Sequence, residues 1–224
     1  MSGKKGFTLI EVLVSMAIFT ILFGITLVAF QQTRKIERLR GSTLQLVSDL
    51  QKAQNFASTG ISQSGTVPVG GYGVHLEKNA TSYQIFADMA SVYKATCACD
   101  NTNTRENQRF DGTGVNILPC VACNDLVVAT TKLQTNVIVY NIIDSVLGPQ
   151  DYIDVAFKPL SRQPLVGYGK EPKYRDPDPT NADYDSEPGR TVDIYFKLKD
   201  GNICRKVTVK GSIGQIIESN TTCP

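Results

Sequence analysis

The chain has 224 residues, a formal net charge of +2 and one histidine. Its length is sufficient for one ordinary domain with its own core. The small net charge does not predict a nucleic-acid interface, because such interfaces depend on clustered positive charge. Composition therefore indicates little, and the informative features lie in how the residues are distributed.

A long apolar segment begins near the amino terminus. Residues 7–30 contain one charged side chain, Glu11, and about 20 apolar residues suffice for a helix to cross a bilayer. The segment therefore predicts one transmembrane helix. Lys4 and Lys5 precede it and favour a cytoplasmic amino terminus, although the basic residues at 34–40 favour the opposite orientation. No small-residue cleavage site follows the segment, which argues against an ordinary signal peptide.

The segment "GFTLIEVLVSMAIFTIL", residues 6–22, resembles the amino-terminal signature of type IV pilins and of the pseudopilins of type II secretion. A short basic leader ends in Gly6, Phe7 follows directly, and Glu11 is the fifth residue counted from Phe7. The resemblance implies that prepilin peptidase cleaves between Gly6 and Phe7 on the cytoplasmic face. It also implies N-methylation of the new Phe7 amine and retention of the helix.

The resemblance also suggests a role for Glu11. The positive amino terminus of Phe7 on a neighbouring subunit would form an ion pair with Glu11 inside an apolar filament, where a buried charge pair can specify register. The alternative is that Glu11 lies near the membrane interface and contacts lipid headgroups.

Apolar residues continue at helical spacing beyond the membrane segment. Ile36, Leu39, Leu46, Leu50, Ala53 and Ala57 share one face if Thr43 is accepted as a weak position. The helix is therefore predicted to continue to Ser58. The predicted domains are a leader at 1–6, a transmembrane and filament-core helix at 7–30, an amphipathic continuation at 31–58, and an extracytoplasmic β-rich head at 59–224.

The head region alternates short β-like runs with turn signals. The predicted strands are Tyr72–Leu76, Tyr83–Ala87, Leu126–Thr131, Asn136–Ile143, Tyr152–Phe157, Thr191–Lys199, Ile203–Lys210 and Ser212–Glu218. Asp200 and Gly201 predict a hairpin turn with positive φ. The predicted fold class is α+β, with a long amino-terminal helix packed on an antiparallel β-rich head.

A second resemblance covers most of the chain in short pieces. The helix end "LQLVSDLQKAQNFA", "YGVHL" from Tyr72, "YQIFAD" from Tyr83, "VAFKP" from Val155 and "CRKVTVKGSIGQI" near the end are similar to H-type minor pseudopilins and FimT-like minor pilins. The cysteine-bearing insert after Asp88 and the long loop before Arg190 depart from that pattern. Glu11 argues against the K-type minor pseudopilins, in which that position is typically not acidic.

The six cysteines are Cys97, Cys99, Cys120, Cys123, Cys204 and Cys223. An even number in an extracytoplasmic head favours disulfides, and a bridge from Cys204 to Cys223 would attach the tail to a strand. Cys97 with Cys123 and Cys99 with Cys120 is one of three pairings that the other four allow. Those four cysteines also suit a zinc site, although only one pair has the usual two-residue spacing.

Other candidate sites carry weaker signals. His75 is expected to be a structural or exposed residue, not a catalytic base. The loop at 168–190 offers hard oxygen ligands for calcium but lacks the EF-hand glycine and spacing; these are Asp176, Asp178, Asp183, Asp185 and Glu187. No hydrolase, phosphate-loop or metalloprotease motif occurs, so neither an enzyme, a resident metal nor a cofactor is predicted.

The sequence thus predicts a structural subunit, minor by its resemblance, of a type IV pilus-like or type II secretion pseudopilus filament. Its expected partners are other pilin or pseudopilin subunits, prepilin peptidase, an inner-membrane assembly platform and, before assembly, membrane lipid. As a minor pilin it would serve initiation, adhesion or DNA uptake. The subunit would span the cytoplasmic membrane once before it joins a periplasmic or cell-surface filament. The alternative is a permanently anchored binding protein or enzyme with a zinc-binding head.

Overall fold

The computed structural model describes residues 6, 8–62, 65, 67–68, 70–88, 126–159, 164–169, 187–188, 190–211 and 214–224. By internal packing the chain divides into two units, Met1–Arg38 and Leu39–Pro224. The second is called the head unit below. The predicted domain boundaries at residues 30 and 58 refer to a membrane and a filament, and they remain predictions.

A single long helix, α1, spans Leu9–Thr59. The predicted helix over residues 7–58 is confirmed to within two residues at either end. Gly60 ends the helix with φ of 62°. Its N–H donates to the Ala57 carbonyl, and the Ile61 N–H donates to the Phe56 carbonyl. This pair of bonds is a Schellman motif, which satisfies carbonyls that the last helical turn leaves without partners.

The described part of the head unit contains eleven strands in two sheets. The strands are β1 Gly71–Glu77, β2 Ser82–Asp88, β3 Leu126–Lys132, β4 Val137–Asp144, β5 Gly148–Gln150, β6 Tyr152–Phe157, β7 Pro164–Gly169, β8 Glu187–Pro188, β9 Thr191–Leu198, β10 Ile203–Lys210 and β11 Gln215–Thr222. One sheet has the order β3-β2-β1-β6-β7-β8, and the other has the order β11-β10-β9-β4-β5. All strand pairs are antiparallel. The predicted α+β class is therefore confirmed.

The second part of α1 and both sheets of the head unit share one hydrophobic core. The helix contributes Leu39, Leu46, Leu50, Ala53 and Ala57, each at most 1% exposed. Thr43, the weak position in the predicted apolar face, is fully buried. Ile36 is 39% exposed and lies outside this core, so its assignment to the buried face was wrong. Burial of the helix face begins at Leu39.

Most predicted strands are present with shifted ends. Asn136 was predicted to begin a strand, but its φ is 69° and the strand begins at Val137. Asparagine adopts this left-handed conformation more readily than most residues, which suits a turn better than a strand. The last strand lies at Gln215–Thr222 instead of 212–218. Strands β5, β7 and β8 were not predicted.

The hairpin between β9 and β10 is real, but its predicted turn geometry was wrong. Neither Asp200 nor Gly201 has a positive φ. The Gly201 N–H instead donates to the Leu198 carbonyl at 3.1 Å, which closes a four-residue turn inside a loop at 199–202. Longer hairpin loops are commonly built on turns that need no left-handed residue, so this loop does not require the glycine conformation expected of a two-residue turn.

Candidate assembly site

The start of α1 carries a reciprocal hydrogen-bonded cap. Glu11 Oε2 accepts hydrogen bonds from the Thr8 N–H and the Thr8 hydroxyl, each at 3.2 Å. Thr8 Oγ1 in turn accepts from the Glu11 N–H at 3.3 Å. This arrangement is a capping box, in which two residues three apart satisfy backbone donors that the first helical turn leaves free.

The cap gives Glu11 a partner within its own chain. Thr8-x-x-Glu11 has the sequence signature of a capping box, whereas the predicted partners of Glu11 were lipid headgroups or another subunit. Glu11 Oε1 accepts no hydrogen bond from the described residues. Gly6 is exposed, and nothing would contact a β-carbon added to it within 4 Å. Phe7 lies outside the described residues.

The helix surface that follows is apolar and uncovered. Its large exposed side chains include Leu9, Ile10, Val12, Leu13, Val14, Met16, Ile18, Phe19, Ile21, Leu22, Phe23, Ile25, Leu27 and Phe30. Of the helices in the described part, only α1 is long and apolar enough to cross a membrane, and none of its apolar window is buried within the chain. This surface therefore requires lipid or other protein chains around it.

Hydroxyl side chains in this part of the helix are satisfied locally. Ser15, Thr20, Thr26 and Thr33 each donate to the backbone carbonyl four residues earlier. A hydroxyl bonded in this way presents mainly its carbon atoms to the surroundings. The polar residues of the segment thus remain compatible with an apolar environment.

In the head unit, a buried carboxylate fastens the helix to the sheet. Asp49 Oδ2 accepts hydrogen bonds from the Tyr83 hydroxyl at 2.7 Å, the Thr131 hydroxyl at 3.0 Å and the Gln45 amide at 3.3 Å. Tyr83 and Thr131 are cross-strand partners on β2 and β3. Burial, together with the neighbouring carboxylate, raises the pKa of Tyr83. The tyrosine therefore remains a neutral donor, and the cluster fixes this part of α1 against two strands.

His75 lies in a second buried cluster, on β1. Its Nδ1 is 2.6 Å from Oδ1 of Asp154, and its Nε2 is 3.2 Å from Oε1 of Glu77. Burial lowers the pKa of His75, but the hydrogen bonds to the two carboxylates outweigh burial and raise the pKa to about 9. A histidine that keeps its proton at neutral pH is unsuited to act as a general base there. The geometry agrees with the expected structural role.

The cysteine predictions divide into two groups. Cys204 on β10 and Cys223 form a disulfide across a separation of 19 residues. This bridge attaches the carboxyl-terminal tail beyond β11 to the neighbouring strand. Cys97, Cys99, Cys120 and Cys123 lie outside the described residues, so the choice between disulfides and zinc at that insert remains a prediction.

The proposed calcium loop also falls largely outside the described residues, which include only the backbone of Glu187 among its candidate ligands. Within the described ranges, no group of three or more His, Cys, Asp or Glu side chains is placed to hold a metal ion.

Comparison with known proteins gives a match that covers the amino-terminal residues. Residues 1–27 match a protein-family model described as the prokaryotic N-terminal methylation motif. No curated protein and no solved structure gives a significant match to the chain. The matched range contains the predicted leader, the capping box and most of the exposed apolar surface. The match supports the resemblance of the amino-terminal segment to type IV pilins and pseudopilins.

Proposed function

We propose that this protein is a structural, minor subunit of a type IV pilus-like or type II secretion pseudopilus filament. The observation that carries the proposal is the methylation motif at residues 1–27 on a helix whose apolar side chains are uncovered. Prepilin peptidase would cleave between Gly6 and Phe7, and the Phe7 amine would be methylated. An inner-membrane assembly platform would then move the helix from lipid into a filament.

Transfer from lipid to filament exchanges one apolar environment for another. The hydrophobic gain of such an exchange is small, so packing and polar contacts must select the correct arrangement. Glu11 is the one charged side chain available for this purpose in residues 7–30. Its Oε2 is occupied by Thr8, while Oε1 receives no hydrogen bond within the described chain. Oε1 is therefore the atom that would accept the Phe7 ammonium of a neighbouring subunit.

The proposal that the protein is a minor subunit, similar to H-type pseudopilins and FimT-like pilins, rests on sequence segments that lie mostly in the head. The segments that carry this resemblance lie on α1, β1, β2, the end of β6, and the β10–β11 hairpin. These segments thus lie on the helix and on strands that contribute side chains to the hydrophobic core. The head would be extracytoplasmic, and the Cys204–Cys223 disulfide is consistent with an oxidising compartment.

The first test is the intact mass and amino-terminal peptide of the native protein from its own membranes. A chain that begins at methylated Phe7 supports the filament proposal. A mature population that keeps residues 1–6 refutes it. Stoichiometric zinc in that unprocessed protein would instead support the anchored, zinc-binding alternative.

A set of three variants separates the assembly role of Glu11 from its cap. Glutamine also serves at this capping-box position, so Glu11→Gln keeps the cap but removes the charge. Thr8→Ala removes the threonine hydroxyl from the cap and keeps the charge, whereas Glu11→Ala removes both the charge and the capping side chain. We expect both Glu11 variants to be cleaved and retained in the membrane but excluded from filaments, and Thr8→Ala to assemble.

The readout is the ratio of filament-incorporated to membrane-retained subunit, with head folding checked by protease resistance. Normal assembly of Glu11→Gln combined with failure of Glu11→Ala and Thr8→Ala would show that the cap, and not the ion pair, is required.

A further inference from the structure

Charge returns to α1 in a short basic segment, residues 34–38. Its basic side chains are Arg34, Lys35 and Arg38. No charged residue lies between Glu11 and this segment. The positive-inside rule favours such a cluster on the cytoplasmic side, whereas the resemblance of the amino-terminal segment implies that the amino terminus is the cytoplasmic end. The basic segment therefore needs an explanation other than orientation.

The charges of the basic segment are not neutralised within the described part of the chain. Arg34, Lys35 and Arg38 are all exposed. Glu37 lies three residues after Arg34, a spacing at which helical side chains can meet. Even so, no ion pair among the described residues includes any of the three basic side chains. They are available to a negatively charged partner outside the chain.

Arg34 shows the direction in which these side chains extend. Its guanidinium carbon lies 4.3 Å from the ring centroid of Phe30, one turn earlier in the helix. Helical side chains lean toward the amino terminus of their own helix, which here is the direction of the exposed apolar surface. The guanidinium is thus held beside Phe30, the last residue of the predicted membrane span.

The rise of the helix places the basic segment at the depth of lipid headgroups. A bilayer is about 40–45 Å thick with its headgroups and about 30 Å without them, so each headgroup layer measures about 5–8 Å. At about 1.5 Å per residue, Arg34 and Lys35 lie about 6–8 Å beyond Phe30, and Arg38 lies about 12 Å beyond it. A span that ends at Phe30 puts the first two level with the phosphates. Arg38 reaches them by leaning back along the helix.

We propose that the basic segment binds the phosphate groups of anionic phospholipids in the extracytoplasmic leaflet while the subunit is stored in the membrane. Guanidinium groups match phosphate oxygens in geometry and charge, and an anionic surface attracts basic residues next to a membrane span. In a zwitterionic lipid, the ammonium of the headgroup competes for the same phosphate. The contact fixes the depth of the helix and is broken on entry into a filament. The inference rests on the membrane-stored state in the proposed function.

The test uses the full chain reconstituted in phosphatidylcholine vesicles with a trace of spin-labelled phosphatidylglycerol or spin-labelled phosphatidylcholine. The fraction of each label that the protein immobilises gives its relative affinity. We expect a preference for phosphatidylglycerol that falls about fivefold in Arg34→Gln/Lys35→Gln/Arg38→Gln, since one basic residue at an anionic surface contributes about that factor. The difference should shrink as the salt concentration is raised.

Two further variants test the role of charge. Glu37→Gln removes the acid of the segment and should increase the preference. Arg34→Lys/Arg38→Lys retains the charges and should retain the preference. Lys4 and Lys5 are present in every variant, so their own attraction for anionic lipid cancels in the comparison. Protease resistance of the head checks that each variant is folded.

Equal lipid preferences of the wild-type protein and the triple glutamine variant overturn the inference. If that variant is nevertheless excluded from filaments, the segment binds acidic groups of a neighbouring subunit instead of lipid. The amino-terminal peptide of the native protein keeps the two proposals apart. Methylated Phe7 together with equal lipid preferences refutes the lipid site and leaves the filament subunit standing. Retained residues 1–6 together with a charge-dependent lipid preference do the reverse.

Discussion

Raising the pH should weaken the head unit through its one histidine. His75 donates to Asp154 across the β1–β6 pair, where the two are direct cross-strand partners, and to Glu77 on its own strand. A pKa raised from 6.5 to about 9 corresponds to about 3 kcal/mol of stabilisation, at about 1.4 kcal/mol for each pH unit. Such a contribution is large beside the stability of an ordinary domain.

The sign follows from which state binds the proton more tightly. The folded-state pKa lies above the unfolded value, so the folded chain keeps the proton on His75 to higher pH. The stabilisation is fully present below pH 6.5 and is lost as the pH rises through about 9. The pKa of Glu77 is lowered by its hydrogen bond to His75, so the Glu77 contribution is present above its unfolded pKa of 4.5 and is lost as the pH falls through the folded value.

The assay combines urea unfolding of the full chain in detergent micelles with an NMR titration. Because the chain has one histidine, its imidazole signals report His75 without assignment. We expect a titration midpoint near pH 9 and a fall in unfolding free energy of about 3 kcal/mol between pH 6.5 and pH 10.

Asp154→Asn is the informative variant, because it removes a charge while nearly preserving volume. Its His75 midpoint should fall well below 9, and its stability should depend less on pH over the same range. A midpoint at or below 6.5 in the wild-type protein, or identical pH profiles for both proteins, would refute this account of the cluster.

Four further substitutions test the packing of the head unit by thermal unfolding. Asp49→Ala should cost about 1.5–3 kcal/mol, because the buried Tyr83 hydroxyl and the half-buried Thr131 hydroxyl lose their charged acceptor; an unchanged melting temperature would contradict this anchor. Cys223→Ser opens the bridge to Cys204 and should cost about 3 kcal/mol, and reduction of this variant should cause no further loss at that bridge. Gly71→Ala and Gly148→Ala both place a β-carbon at positive φ, but only the first meets a backbone carbonyl, on β6. Gly71→Ala should therefore be the more destabilising of this pair, and equal melting temperatures would count against the steric argument.

The elements that were predictable from sequence are those with local periodicity. Leu46, Leu50 and Ala53 recur at helical spacing on one face of α1. On β9 and β10, buried and more exposed side chains alternate along the strand, and the same alternation of apolar and polar residues is visible in the sequence. Strands β5, β7 and β8 escaped prediction because each of them contains a proline. Proline is tolerated at the first position of a strand and on edge strands. Which strands lie at an edge is known only once the order of strands in the sheet is known.

The polar clusters depend on long-range pairing and were not predictable in the same way. His75 and Asp154 are 79 residues apart, and the register of β1 with β6 brings them together. Asp49 finds its tyrosine and threonine donors only because α1 packs over β2 and β3. The hydrophobic pattern determines which faces are buried, but not which polar residues meet there. The Thr8–Glu11 cap is different, because its spacing is local and readable from the sequence.

That cap explains how one glutamate can suit two environments under the proposed function. A carboxylate in a bilayer is costly without partners, and Thr8 supplies two hydrogen bonds to Oε2 before any neighbouring subunit arrives. A carboxylate can accept about four hydrogen bonds, so Oε1 retains capacity for an ammonium group. The cap thus holds the carboxylate in place in the stored subunit, and the neighbour's amine completes its partners in the filament. Glutamine satisfies the first requirement but lacks the charge for the second, which is why that substitution separates storage from assembly.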